Sequence, residues 1–201
     1  MKKINKIIIG TRNDGKFKEI CNLLPKNITK ISPRDLNLPS PNEIGNTFEE
    51  NSKIKAKYFA KKANLIAISD DSGLVIDLLS GAPGIYSSRW AGYTNDFNVA
   101  IEKIYNELKK IKFEWSKRKE VVARFISCLT LHWPNGKFIS STGIVEGRIS
   151  EIKKGTNGFG YDPIFIPLGH EKTFGELNTQ EKLKINHRSK AFLKISNFFI
   201  N

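Results

Sequence analysis

Seven residues, Gly10-Thr11-Arg12-Asn13-Asp14-Gly15-Lys16, follow the apolar run Ile7-Ile8-Ile9 and precede an apolar spacing of helical type. A strand, a polar corner and a helix start present backbone N–H groups and the positive end of a helix dipole to an anion. The spacing is that of a phosphate-cradling G-x-x-x-x-G-K-[ST] loop up to its last position, which here is Phe17. The missing hydroxyl would have held Mg²⁺. A metal at such a site must therefore rest on carboxylates elsewhere in the chain.

Asp70-Asp71 stands where a short buried strand, Leu65 to Ile68, meets a Ser72-Gly73 turn. Neighbours on a strand point to opposite faces, so one carboxylate can face a cleft while the other braces a neighbour. An Asp-Asp-Ser-Gly string taken alone is more often a hydrogen-bonded turn. Of the other acids, Glu49 and Glu50 suit the first turn of a helix, and Glu43 lies in a loop with freedom to reach a metal. Asp71 with Glu43 would give Mg²⁺ the one or two carboxylates it usually takes, beside waters and phosphates. Lys55, on the same helix as many other lysines, reads most simply as solvated. Lys182, His187 and Arg188 fall within one short stretch. There Lys and Arg can neutralise phosphate or donate to a base oxygen. Gly158-Phe159-Gly160-Tyr161-Asp162-Pro163 allows close backbone approach, with an aromatic ring able to stack on a base. A rigid turn that packs two aromatics into the core fits that string equally well.

The elements that must position these residues follow from periodicity. Ile4 to Ile9 reads as a buried strand. Phe17, Ile20, Cys21 and Leu24 form a helix face ended by Pro25, and Ser32 to Glu43, with three prolines, forms an extended loop. Thr47 with Glu50 forms a capping box opening a helix to about Ala63. Phe97, Ile101, Ile104, Tyr105 and Leu108 make a helical stripe, capped by Thr94 or Asn95. Val121 to His132 and Phe138 to Val145 are strands joined at Pro134-Asn135-Gly136. Phe192, Ile195 and Phe199 mark a closing helix. Crossover and hairpin links together imply an α/β protein with a mixed sheet.

At 201 residues, with 39% hydrophobic and 26% charged side chains, the chain can bury a sizeable core and reads as one domain, with room for two lobes. It offers neither a signal peptide nor a stretch of membrane-spanning length, so a cytoplasmic protein is expected. Cys21 and Cys128 lack metal-ligand spacing and read as two buried, reduced thiols. The net charge of +13 suits a polyanionic partner, but the lysines are scattered rather than gathered in one footprint.

Taken in order, five blocks resemble the Ham1-type nucleoside-triphosphate pyrophosphatases. They are Thr11-x-Asn13-x-x-Lys16 with Glu19; Gly45-x-Thr47-Phe48-x-Glu50-Asn51; Asp70-Asp71-Ser72-Gly73-Leu74 running to Gly81-Ala82-Pro83-Gly84-Ile85-Tyr86-Ser87; Gly158 to Pro163; and Lys182 followed by His187-Arg188. The resemblance covers nearly the whole chain. It implies a long curved mixed β-sheet with flanking helices, two lobes around a central cleft, and a homodimer. It also implies Mg²⁺-dependent hydrolysis of dITP, ITP and XTP to the monophosphate and pyrophosphate. By position it makes Asp71 the general base and a metal ligand, with Ser72 beside the substrate. Thr11, Arg12, Asn13, Asp14, Gly15 and Lys16 would cradle phosphates, and Lys55 and Lys182 would contact them. Phe159, Gly160, Tyr161, Asp162, His187 and Arg188 would form the base pocket. The chain departs from many members at Asn42-Glu43-Ile44, where they carry two consecutive acids, and at Arg12 and Asn186. Ile85, Tyr86 and Trp90 are apolar candidates for a subunit interface. Competing readings are a P-loop phosphotransferase, a Maf-like nucleotide pyrophosphatase and a basic nucleic-acid-binding protein without turnover.

Overall fold

The computed structural model describes residues 4–92, 96–111 and 120–199. Among the described residues, six strands and five α-helices follow in order: β1 Lys6–Ile9, α1 Asp14–Leu23, β2 Thr29–Ile31, α2 Phe48–Ala63, β3 Ile66–Ile76, α3 Phe97–Lys110, β4 Val122–His132, β5 Phe138–Ile149, β6 Phe165–Pro167, α4 Thr179–Ile185 and α5 His187–Leu193. The sheet order is β2-β1-β3-β4-β5-β6. β1 pairs in parallel with β2 and β3, and β5 pairs antiparallel with β6. This is the mixed α/β sheet expected from crossovers and hairpins together.

The chain divides into two compact units. The first holds Met1–Asp71, Ser127–Gly143 and His187–Asn201. Its sheet is covered on two faces. On one, Ile7, Ile9 and Ile68 pack with Ile20 of α1 and Ala191 of α5. On the other, Ile8 and Ala67 pack with Phe59 and Ala60 of α2. Odd and even positions of β3 thus meet different helices, as the strand period requires. The second unit holds Ser72–Ile126 and Ile144–Asn186. Its core joins Leu74 and Ile76 to Ile101, Ile104 and Leu108 of α3, with Phe125, Phe165 and Phe174 in mutual ring contact.

Several local expectations change. β3 runs unbroken from Ile66 to Ile76, so Asp70-Asp71-Ser72-Gly73 is strand interior rather than a turn. The extended string is held at Gly73, where a Cβ would lie 2.3 Å from the Gly84 carbonyl oxygen and 2.4 Å from Ser87 Oγ. α2 starts at its expected cap, with Thr47 accepting from the Glu50 N–H at 3.1 Å. The reciprocal bond of a capping box goes elsewhere: Glu50 Oε2 accepts from Asn46 N–H at 2.6 Å. Thr94 and Asn95 lie outside the described residues, and the cap of α3 is Asp96, which accepts from Asn98 N–H. Cys128 is buried, whereas Cys21 is only half-buried. The C-terminal stripe is split between α5, ending at Leu193, and a 3₁₀ turn over Ser196–Phe198. Among the described residues, no helix is long and apolar enough to cross a membrane.

Candidate active site

The corner after β1 is tighter than seven residues of loop. α1 begins at Asp14, with Asn13 as N-cap accepting from Lys16 N–H at 2.9 Å. Thr11, nearly buried, accepts from Asn13 N–H at 3.2 Å. Asp14, Gly15 and Lys16 therefore form the first helical turn. Of its N–H groups, that of Lys16 goes to the cap side chain and that of Phe17 to the Asn13 carbonyl. Helix geometry gives the N–H groups of Asp14 and Gly15 no partner inside the helix and turns them toward its N-terminal end, the side that favours an anion. The Asp14 carboxylate turns away to pair with Arg34 in solvent, and Arg34 also donates to the Arg12 carbonyl. In this arrangement Arg12 and Asp14 serve the corner's shape.

Lys16 reaches inward. Its ammonium lies 3.0 Å from Asp70 Oδ2, the same oxygen that accepts from Arg188 Nη2 at 3.1 Å. Asp70 Oδ1 accepts from Ser127 Oγ at 2.5 Å, and Arg188 Nη1 donates to Glu19. Glu19, Asp70 and Arg188 are buried. Burial opposes the charge on Asp70. The Arg188 and Lys16 charges, with the Ser127 and Arg188 hydrogen bonds, outweigh it and hold the carboxyl well below the usual carboxylate range. The four charges of this cluster sum to zero.

Asp71 belongs to the α2 side. Lys55, buried rather than solvated, donates to Asp71 Oδ1 at 2.8 Å and to Glu43 Oε1 at 2.6 Å. Two carboxylates around one ammonium leave a net negative charge. The second oxygen of Asp71, Oδ2, is buried and has no hydrogen-bond partner among the described residues. Burial raises the Asp71 carboxyl above its ordinary range, Glu43 adds to that, and Lys55 and Lys16 pull against it. Burial works against the Lys55 charge, but Asp71 and Glu43 more than compensate and raise its affinity for the proton. An unpartnered buried oxygen beside a second carboxylate fits a hard cation with oxygen ligands. No cage of three or more His, Cys, Asp or Glu gathers among the described residues, so water and phosphate would complete such a shell.

The second unit holds the other expected group. Lys182 Nζ lies 2.5 Å from Asp162 Oδ2 and 4.9 Å from the centre of the Phe159 ring. Asp162 also accepts from the Phe159 N–H at 2.8 Å. Gly158, at φ +75°, passes so close that a Cβ would sit 2.0 Å from that carboxylate. The loop is thus clamped on a buried ion pair, with Phe159 and Gly160 half exposed. Tyr161 turns inward: its ring meets Phe97 edge-on and its hydroxyl donates to the Ser87 carbonyl at 2.8 Å. Of the two readings of this string, Tyr161 follows the core one, while Phe159 is only half-buried. Ser72 is half-buried beside Gly73 on β3.

The Ham1 family profile matches residues 7–198. A dITP/XTP pyrophosphatase of Zymomonas mobilis is 42% identical over 94% of this chain and 90% of its own length. One from Agrobacterium fabrum is 44% identical over 94% of this chain and 92% of its own length. A HAM1 protein from Coxiella burnetii superposes with a TM-score of 0.84 at 36% identity, covering 96% of both chains. The chain belongs to the Ham1 family. The Staphylococcus aureus Ham1 protein agrees, with a TM-score of 0.81 and 34% identity over 96% of this chain and 97% of that one. Within this Ham1 chain, Glu19 entered only as a motif letter and Ser127 not at all. Both prove to hold Asp70 or its arginine. The signal available for Glu19 was an acid one turn after Lys16, on the helix face that carries Ile20. Ser127 gave none, because nothing in a strand's own sequence names its cross-strand neighbour. Among the expected interface residues, Tyr86 is exposed, while Ile85 and Trp90 are half-buried and Trp90 packs on the second unit's core.

Proposed function

We propose that this Ham1 protein hydrolyses non-standard purine nucleoside triphosphates, dITP, ITP and XTP, to the monophosphate and pyrophosphate. Relatives named dITP/XTP pyrophosphatase over nearly the full length support the reaction class. The observation that carries the mechanism is Asp71, whose Oδ2 is buried without a partner among the described residues while its other oxygen is fixed by Lys55. Asp71 accepts a proton from water as the oxygen attacks phosphorus. The new O–P bond forms while the α–β anhydride bond breaks, and pyrophosphate leaves with the bonding pair. Lys16, Lys55 and the first-turn N–H groups of α1 oppose the charge of the tail. Asp71 and Glu43 would hold Mg²⁺, which when bound stabilises developing phosphate charge. The family resemblance makes Phe159 the candidate to stack on the base. The reading extends to a homodimer, with Tyr86 a candidate contact, and to the cytoplasm, where a nucleotide pool is kept.

The test is a panel of ITP, dITP, XTP, GTP and ATP incubated with the purified protein, with and without Mg²⁺, scoring pyrophosphate against orthophosphate. Pyrophosphate from ITP and XTP, lost on chelation, is expected. Orthophosphate release, or phosphate transfer to an acceptor, would return the chain to the phosphotransferase reading.

A further inference from the structure

Lysines that look scattered along the sequence are gathered, in part, by one helix. Lys53, Lys57 and Lys61 recur every four residues of α2, so they share a flank and step about 6 Å apart along its axis. Lys55, turned inward to Asp71, lies on another side of the helix. The flank borders the β4–β5 hairpin of the same unit. Ser52 Oγ lies 2.6 Å from Thr130 Oγ1, which lies 2.9 Å from Ser140 Oγ, so the helix seats directly on these strands. At the hairpin's end Phe138, 44% exposed, stacks on His132 with ring centroids 6.1 Å apart. Lys53 Nζ lies 3.9 Å from the centre of the same ring. Lys57 and Lys61 are exposed. Among the described residues, none of the three lysines makes an ion pair, and the acids of α2, Glu49 and Glu50, stand back in its first turn.

His132 adds a second observation. It is 3% exposed, and its Nδ1 is buried with no hydrogen-bond partner among the described residues. Burial lowers its affinity for a proton, and Lys57, Lys53 and Lys61 lower it further, against a hydrogen bond with the Trp133 backbone. The three ammonium groups therefore bear on one imidazole, with Lys57 foremost and the others one turn to either side. Unpaired cations in a row suit an anion that repeats its charge along a line, as a phosphodiester strand does. A membrane surface fits less well, because the aromatic ring that would insert is already engaged by His132 and Lys53. We propose that the Lys53–Lys57–Lys61 flank of α2, with the His132–Phe138 end of the hairpin, binds the phosphate backbone of a single-stranded nucleic acid. The contact reads no base and uses none of the residues assigned to turnover.

The probe is a fluorescein-labelled oligothymidylate of about 16 nucleotides, followed by anisotropy against the full-length protein. Three phosphate contacts on a single strand carry a log–log salt slope of about −2, so affinity should fall roughly 20-fold between about 50 and 200 mM salt. Lys53→Gln, Lys57→Gln and Lys61→Gln combined should remove that slope and weaken binding by about tenfold or more, with kcat/KM for ITP unchanged. Lys57→Glu with Lys61→Glu leaves Lys53 on Phe138 and answers the question if the triple variant does not fold. Followed by NMR, the His132 imidazole should titrate at higher pH when the oligonucleotide is bound, because phosphates offset the lysines that suppress its proton. Lys16→Ala should leave oligonucleotide binding in place. A wild type that does not bind, a triple variant that binds with its slope intact, or an unmoved His132 titration would each overturn the proposal. Equal loss in Lys16→Ala would overturn it by placing the strand at the corner after β1. Uptake by phosphatidylserine vesicles without oligonucleotide binding would overturn it in favour of a membrane contact. None of these readouts requires turnover, so they stand apart from the test of the pyrophosphatase reading.

Discussion

Asp70 and Asp71 are adjacent, equally acidic by composition and both buried, yet the protein makes them opposites. Asp70 looks toward α1 and α5, where two cations and a hydroxyl surround it and hold it ionised. Asp71 looks toward α2, where the Lys55 ammonium is shared with Glu43 and one carboxylate oxygen has no hydrogen-bond partner among the described residues. The strand period makes this division possible, and the helix packed on each face decides its content. A saturated carboxylate can hold other groups in place, and an undersaturated one can take a proton or a cation. The largest effect that would test the contrast is on turnover. Asp71→Asn should lower pyrophosphate release from ITP by about 10³-fold, within the range of a lost general base. Its thermal midpoint should hold or rise, because burial penalises the charge that the substitution removes. A variant that keeps near-normal rates would take the base role away from Asp71.

On the other face the same logic puts the effect on folding. Arg188→Ala strips Asp70 and Glu19 of their shared partner and leaves two buried carboxylates short of compensation. The expected cost is about 3–5 kcal/mol, read as a fall in the urea midpoint at constant slope. A loss below about 1 kcal/mol would mean that the pairs are far more solvated than their burial implies.

Acid should separate the two carboxylates in a third way. Asp70 is held ionised in the folded chain well below its ordinary value of 3.8. Its contribution is therefore present above the unfolded value and is lost as pH falls from there through the folded one. Unfolding curves recorded downward from pH 5 should show stability dropping below about pH 4. Asp70→Asn should flatten that drop while being less stable at neutral pH. Asp71 is shifted upward, so its protonation on acidification favours the fold, and Asp71→Asn should leave the drop in place.

The sequence made one face more legible than the other. Strand alternation was enough to separate the two aspartates, whereas Lys55 was drawn to the site only by the family resemblance. The turn expected at Ser72-Gly73 failed because Ser, Gly and Asp carry turn propensity only where no neighbour demands extension. Here Gly73 is small so that the Gly84–Ser87 segment can lie against a continuing strand. Lys55 looked solvated because lysines at 53, 57, 61 and 62 are its neighbours in sequence, and only the packed helix shows it alone turned inward to Asp71. Arg188 read as a ligand donor from its type. Its partners, Glu19 and Asp70, lie 169 and 118 residues away, a distance no local pattern spans.

The smallest expected effect tests how independently the Asp71 face is supported. α2 carries Lys55, and its start is held by Thr47 Oγ1 on the Glu50 N–H together with Glu50 reaching past the cap to Asn46. One of the two bonds of a capping box is present, and the other ties the helix to the preceding loop instead of closing on the cap residue itself. Thr47→Ala removes one acceptor and should cost about 1 kcal/mol of stability. Because Glu43 precedes that loop and Lys55 lies two turns into the helix, fraying at the cap would loosen the Glu43 contact before the Asp71 contact. Thr47→Ala should therefore raise the Mg²⁺ concentration needed for half-maximal rate by about twofold, with the rate at saturating Mg²⁺ nearly intact. A fall in the saturated rate with no change in Mg²⁺ demand would show that the helix start supports Lys55 and Asp71 rather than Glu43.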